Sequence, residues 1–297
     1  MTSTPRKILV ATDFSSTADS AEKLAFQLAR LLGAELHLIH VRVILEDPLM
    51  AEEQQLEIER LMSSADKATK EAFDRTRGGD REIAVETHLV RSVSAAEAIV
   101  ETATDLECDL VVMGTHGRRG IKHLLLGSVA ENVVRSVDIP VLTVRPGIEV
   151  GTLGPKRILV AYDFSDRSAT AVRVAGDWAT VFDAEITMLH VVEPVVYPEF
   201  YAINVVSDDV MTRLRDRATE ALDNAAETIL GDRPVNALVL IGRATDTIIA
   251  EARPENFDLV VMGTRGLTGL EQLVLGSVAE GVLRRCPVPL LTVSSES

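Results

Sequence analysis

Short, nearly unbroken apolar runs alternate along the chain with longer segments whose apolar residues recur every three or four positions. A short apolar run between turn signals reads as a strand buried on both faces, and a recurrence of 3.6 residues reads as an amphipathic helix. Lys7–Ala11 is the first such run, bounded by Asp13. Over Thr17–Leu32, residues Ala21, Leu24, Ala25, Leu28, Leu31 and Leu32 fall at helical spacing, and Gly33 supplies a stop. The pattern then predicts a strand over Glu35–Val41, a long polar helix over Met50–Arg77 ended by Gly78 and Gly79, and a strand over Glu82–Val90. Ser94–Thr104 reads as a helix capped by Ser94, with Glu97 three residues on. Leu110–Met113 is a strand, Ser128–Ser136 a helix and Val141–Val144 the last strand. Strands alternating with helices imply a parallel sheet covered on both faces.

The whole pattern occurs twice. KILVATDFS at 7–15 returns as KRILVAYDFS at 156–165, and residues 109–144 align without gaps to 258–293, with 22 of 36 positions identical. An offset of 149 residues is too long for one turn of a solenoid, so each copy is a complete domain. Gly147–Pro155, glycine-rich and closed by proline, reads as a linker between domains at 1–146 and 156–297. The copies differ most over Glu193–Val206, a Pro-, Tyr- and Val-rich segment suited to a lid or an interface.

With 297 residues and 46% apolar positions, two ordinary domains can each bury a core. The formal charge of -15 repels phosphate backbones and argues against nucleic acid as a partner. A single nucleotide is still admitted, because backbone dipoles dominate at contact range. Two cysteines, Cys108 and Cys286, cannot build a disulfide framework, which suits a reducing cytosol. Neither an apolar run of bilayer-spanning length nor the apolar stretch of a signal peptide is found, so a cytoplasmic location without membrane contact is expected.

Candidate chemistry follows the fourth strand of each copy. Gly114 and Gly117 lead, after nine intervening residues, to Gly127 and Ser128; Gly263 and Gly266 lead across the same interval to Gly276 and Ser277. Each loop leaves a buried strand and ends at a helix start. Glycine lets the backbone approach a phosphate closely, and a helix N-terminus offers unpaired N–H groups and a positive dipole end. In open α/β sheets, ligands bind beyond the carboxyl ends of the strands, near a topological switch point. A plainer reading uses the same residues: Ser128 with Glu131, and Ser277 with Glu280, fit capping boxes, and the glycines fit ordinary turns. Asp13 and Asp163 are likewise open to two readings, capping the turn after strand one or facing a ligand.

Together these motifs resemble the universal stress protein family in its tandem-domain, ATP-binding form. Both copies meet the family fingerprint Gly-x-x-Gly, nine residues, then Gly followed by Ser or Thr. ILVATDFS and ILVAYDFS, LHLIHV and TMLHVV, DLVVMGT, and the closing IPVLTV and VPLLTV extend the resemblance over essentially the whole chain. It implies an α/β fold of two tandem doubly wound domains, each a five-stranded parallel sheet in the order 3-2-1-4-5 with helices on both faces. It also implies ATP as the ligand of each copy, and Mg²⁺ is expected beside it to offset the charge of Asp13 and Asp163.

In copy one, the resemblance places Ala11, Thr12 and Asp13 beside the nucleotide and the Val41 backbone at the adenine edge. Met113 and Val129 would pack nearby, and Gly114, His116, Gly117, Gly127 and Ser128 would surround ribose and phosphates. In copy two the matching residues are Ala161, Tyr162, Asp163, Val191, Met262 and Val278, with Gly263, Arg265, Gly266, Gly276 and Ser277 around the phosphates. The resemblance further implies that Val141–Val144 and Leu290–Val293 pair across the domains as a pseudo-dimer, with a homodimer of chains beyond it. Arg118, Arg119 and Lys122 make the first loop the more cationic of the two.

Other chemistry is missing from the pattern. The chain has no GxxxxGK[ST] loop, no GxGxxG after strand one and no GxSxG elbow. His37 and His40, three apart on a strand, face opposite sides, and His116 and His123 lack ligands at zinc spacing, so no metal set is expected. No catalytic base or arginine finger stands out, which favours a nucleotide-dependent signalling module with an unspecified protein partner over the alternative, a slow ATP hydrolase or phosphotransferase.

Overall fold

The computed structural model describes residues 4–16, 18–44, 66–74, 76, 83–115, 127–148, 154–193, 208–264 and 275–294. Among the described residues, ten strands form one sheet. Copy one contributes β1 (Lys7–Ala11), β2 (Glu35–Val43), β3 (Val85–Ser92), β4 (Leu110–Gly114) and β5 (Val141–Val144). Copy two contributes β6 (Arg157–Ala161), β7 (Glu185–Val192), β8 (Val235–Ile241), β9 (Leu259–Gly263) and β10 (Leu290–Val293). Their order is β3-β2-β1-β4-β5-β10-β9-β6-β7-β8, so each half has the expected 3-2-1-4-5 arrangement. All pairs within a half are parallel, and β5 meets β10 antiparallel.

The helices are α1 (Asp19–Leu32), α2 (66–74), α3 (Ala95–Asp105), α4 (Ser128–Ser136), α5 (Asp166–Phe182), α6 (Asp208–Leu230), α7 (Ala244–Glu251) and α8 (Ser277–Arg285). α1, α2, α5 and α6 cover one face with a core including Ile8, Leu28, Phe73, Leu142, Trp178 and Leu291. α3, α4, α7 and α8 cover the other, around Leu9, Ile99, Val133, Ile248 and Val282. Both cores run without a break from one copy into the other. None of the described helices is long and apolar enough to cross a membrane.

Central strands are sandwiched between two helical layers, which is why β1 and β4 read as solid apolar runs. α1 buries Ala21, Leu24, Ala25, Leu28 and Ala29, and Gly33 ends it in the left-handed region at φ 64°. Leu31, included in the apolar stripe by spacing, instead lies on the outer face, 41% exposed. Ser94 caps α3 by accepting from the Glu97 N–H at 3.3 Å, as its sequence signature implies. β3 is shifted from the expected Glu82–Val90: it starts at Val85 and runs to Ser92, because its partner β2 continues to Val43. Of the helix expected over Met50–Arg77, residues 66–74 are helical, while 50–65 lie outside the described residues, as does 194–206 of the divergent segment.

The seam between copies is tightly made. Leu291 sits opposite Leu142, both buried. Thr143 Oγ1 donates to the Leu290 carbonyl and Thr292 Oγ1 to the Val141 carbonyl, each at 3.2 Å. Arg145 donates to the Arg285 carbonyl at 3.1 Å, and Arg284 reaches Glu131 at 3.9 Å.

Candidate functional site

In each copy the chain crosses from β3 through α3 (or β8 through α7) to a strand on the far side of strand one. The carboxyl ends of β1 and β4, and of β6 and β9, therefore border a switch point. Ala11 and Ala161 end the first strands. The next residue closes the ladder, with Thr12 N–H donating to the Ile39 carbonyl and Tyr162 N–H to that of Leu189, both at 2.9 Å. β2 and β7 then continue past the end of that neighbour, paired only with β3 and β8 on their other side. Strand alternation turns the backbone groups of Val41 and Val191, two residues beyond Ile39 and Leu189, toward the vacated side.

Asp13 and Asp163 fold into matching turns. Each accepts through Oδ1 from the N–H of Ser15 or Ser165 at 3.1 Å and from its hydroxyl at 2.5 Å. The turn-capping reading is thus realised in both copies. The residues that follow, Phe14 and Phe164, take positive φ values of 56° and 64°. A bulky side chain there costs on the order of 1 kcal/mol, and such outliers concentrate at functional sites. Their rings lie 5.0 and 4.8 Å from those of His40 and His190. Each histidine donates from Nδ1 to the carbonyl after strand one, His40 to Thr12 at 2.8 Å and His190 to Tyr162 at 2.9 Å. Sequence reasoning missed this pair, although both copies carry it at one register, one residue before the end of LHLIHV and two before the end of TMLHVV.

The glycine loops leave β4 and β9 and end at the starts of α4 and α8, both ends tied to one threonine. Thr115 and Thr264 donate from their N–H groups to Val144 and Val293 at 3.0 Å, and their carbonyls accept from Gly127 and Gly276 at 2.8 and 2.9 Å. Gly127 and Gly276 occupy the cap positions of α4 and α8, and among the described residues no side chain caps either helix. The capping boxes of the plainer reading are therefore not formed. Ser128 and Ser277 are the first helical residues and stay exposed, while Glu131 and Glu280 turn to Arg135 at 2.7 Å and Arg284 at 2.5 Å. The first-turn amides of both helices thus have no side-chain acceptor among the described residues.

In copy two these parts enclose a cleft of about 260 Å³. Ala161, Tyr162, Asp163, Val191, Met262, Gly263, Gly276, Ser277 and Val278 all line it, joined by Ser168, His190, Ala244 and Ile248. Gly263 also packs closely: a Cβ there would lie 3.2 Å from the Arg167 main-chain carbonyl carbon. In copy one Ala11, Thr12, Asp13, Val41, Met113, Gly114, Gly127, Ser128 and Val129 hold the matching positions on β1, β2, β4 and α4. His116, Gly117, Arg265 and Gly266 lie outside the described residues. The cleft combines an apolar floor of Leu189, Ile248, Met262 and Ala279 with polar groups at one side and a helix N-terminus. That combination suits a flat apolar group carrying an anionic tail.

Comparison with known proteins agrees with this architecture. A universal stress protein of Mycobacterium tuberculosis, Rv2005c, is 29% identical over 313 residues, spanning 97% of this chain and 98% of that protein. A shorter universal stress protein of Thermus aquaticus is 37% identical over 138 residues, 46% of this chain and 98% of its own length. The crystal structure of a universal stress protein from Archaeoglobus fulgidus matches with a TM-score of 0.68 at 22% identity, covering 97% of this chain and 98% of that one. The universal stress protein family profile matches twice, over residues 4–145 and 154–294. On these two matches the chain belongs to the universal stress protein family, with two of its domains in tandem.

Proposed function

We propose that each copy binds one ATP, with Mg²⁺ beside its phosphates, and that occupancy alters a surface read by a protein partner. One observation carries the reading: nine residues chosen from sequence converge on the walls of a single cleft whose rim is an uncapped helix start. The adenine ring would lie on the apolar floor, with its edge toward the Val191 backbone. The triphosphate would run to the amides of Ser277 and Val278 at the start of α8, where the helix dipole and first-turn N–H groups offset a chain charge of -15. Asp163, already held by Ser165, would face the phosphates across the cleft, and a divalent cation between them removes the repulsion. Copy one repeats the arrangement with Asp13, Val41, Gly127 and Ser128.

Calorimetry of the dialysed full chain against Mg·ATP tests this. The expected result is two equivalents per chain, weaker without Mg²⁺, and loss of binding in a Gly117→Val, Gly266→Val double variant that keeps its circular dichroism. Unchanged affinity in that variant would overturn the proposal.

A further inference from the structure

Toward the amino-terminal end of β2, away from the cleft, two histidines from different strands meet on the α3 side of the sheet. His37 lies opposite Glu86 in the β2–β3 ladder, and His88 follows two residues on, so all three point to one face. His37 Nδ1 is 3.0 Å from His88 Nε2 and 3.6 Å from Glu86 Oε2. One ligand atom from each of the three residues falls within a common span of 4.8 Å. Two nitrogens bound to one transition metal at about 2.1 Å, at angles between octahedral and tetrahedral, stand about 3.0–3.4 Å apart. The two separations from His37, 3.0 and 3.6 Å, are close to that range.

A direct imidazole–imidazole hydrogen bond explains the 3.0 Å contact but leaves more unexplained. His37 is 4% exposed, yet among the described residues its Nε2 has no hydrogen-bond partner. Glu35 Oε2 stands 3.9 Å from that atom. If His37 ligates through Nδ1, its Nε2 carries the proton and needs an acceptor, which a small rotation of Glu35 supplies. That is the carboxylate–histidine–metal arrangement by which proteins fix the tautomer of a ligating ring. Glu86 also brings a negative charge beside the two rings, and Glu35 a second one shared with Lys7 at 3.9 Å, which a dication would balance.

The fold itself does not require this set. At the same register, copy two has Thr187 for His37, Asn236 for Glu86 and Leu238 for His88, and builds the same pairs of strands. Glu185 keeps the position of Glu35.

We propose that His37, Glu86 and His88 form a binding site for a divalent transition cation of the Zn²⁺ type, found in copy one only and separate from the nucleotide cleft. Imidazole and carboxylate together select such ions over Mg²⁺ or Ca²⁺, which prefer all-oxygen shells. Three protein ligands leave a coordination position for water. Because Glu86 and His88 belong to an outer strand, the ion would also pin β3 to β2.

The test uses the tag-free full chain, stripped with a chelator. Zn²⁺ is titrated by calorimetry and Co²⁺ by its visible ligand-field absorption. One Zn²⁺ per chain is expected, with no competition from excess Mg²⁺. A His37→Thr, Glu86→Asn, His88→Leu variant, carrying the copy-two residues, should keep its circular dichroism and lose at least ~100-fold in affinity. Glu35→Gln should weaken binding about 10–100-fold, as loss of an outer partner does. Failure of the parent to take up Zn²⁺, or equal uptake by the triple variant through ions held elsewhere, would overturn the proposal.

Discussion

Truncating Leu142 at the seam should lower the stability of the opposite domain as much as its own. Leu142 on β5 faces Leu291 on β10, both are buried, and both belong to the core that also holds Trp178. Leu142→Ala removes about three carbons, worth about 2.4 kcal/mol in transfer alone, and the remaining cavity brings the cost to roughly 2–5 kcal/mol. With a urea m-value of about 3 kcal/mol per M, a loss of about 3 kcal/mol moves the midpoint down by about 1 M. Trp178 is the sole tryptophan and lies on α5 in copy two, so its fluorescence reports that half, while circular dichroism reports both. Fluorescence and circular dichroism should shift together in Leu142→Ala and in Leu291→Ala. The double variant should fall short of the sum by about 0.5–3 kcal/mol, since the two side chains share one space. A Trp178 transition left at its parental midpoint by Leu142→Ala, beside a newly split dichroism curve, would refute the coupling.

Two further outcomes follow from buried groups. Burial pushes the Cys108 thiol up to about 11 and the Cys286 thiol up to about 12, so neither should react with a thiol reagent at neutral pH until urea unfolds the chain; rapid labelling of the native protein would contradict this. Glu22 is raised above 4.5, first by burial and then by Asp19 and Asp13, against a Thr12 hydroxyl bond that lowers it. Its folded form holds a proton more firmly than its unfolded form, so its contribution to stability is full below pH 4.5 and is lost as pH rises through the folded pKa. Glu22→Gln should remove that slope in urea titrations across pH 4–8; an unchanged slope would count against it.

The sequence was most readable where burial is most complete. β1, β4, β5 and α4 were located to within a residue because sandwiched strands leave no room for polar positions and Gly127 marks a helix start. β3 was misplaced because an outer strand alternates, and Glu86 and His88 interrupt its apolar signal. The pairing of β5 with β10 left no mark in IPVLTV itself and was foreseen through the family resemblance, without its antiparallel sense. Ser128 was legible as a helix start, but its spacing to Glu131 left open whether it also caps the helix, a role that Gly127 takes without an oxygen to announce it. The meeting of His37 with His88, 51 positions apart, depends on strand register, which one-dimensional spacing does not encode.

The antiparallel junction of β5 with β10 has a bearing on how the two halves can differ. In a dimer of identical chains, the same junction would dissolve on dilution, and every substitution would appear on both sides of the axis. Tethering by Gly147–Pro155 makes the association intramolecular and insensitive to concentration. It also lets one half carry a trait its twin lacks, such as histidines at 37 and 88 against Thr187 and Leu238, so a single molecule can be asymmetric by inheritance rather than by ligand.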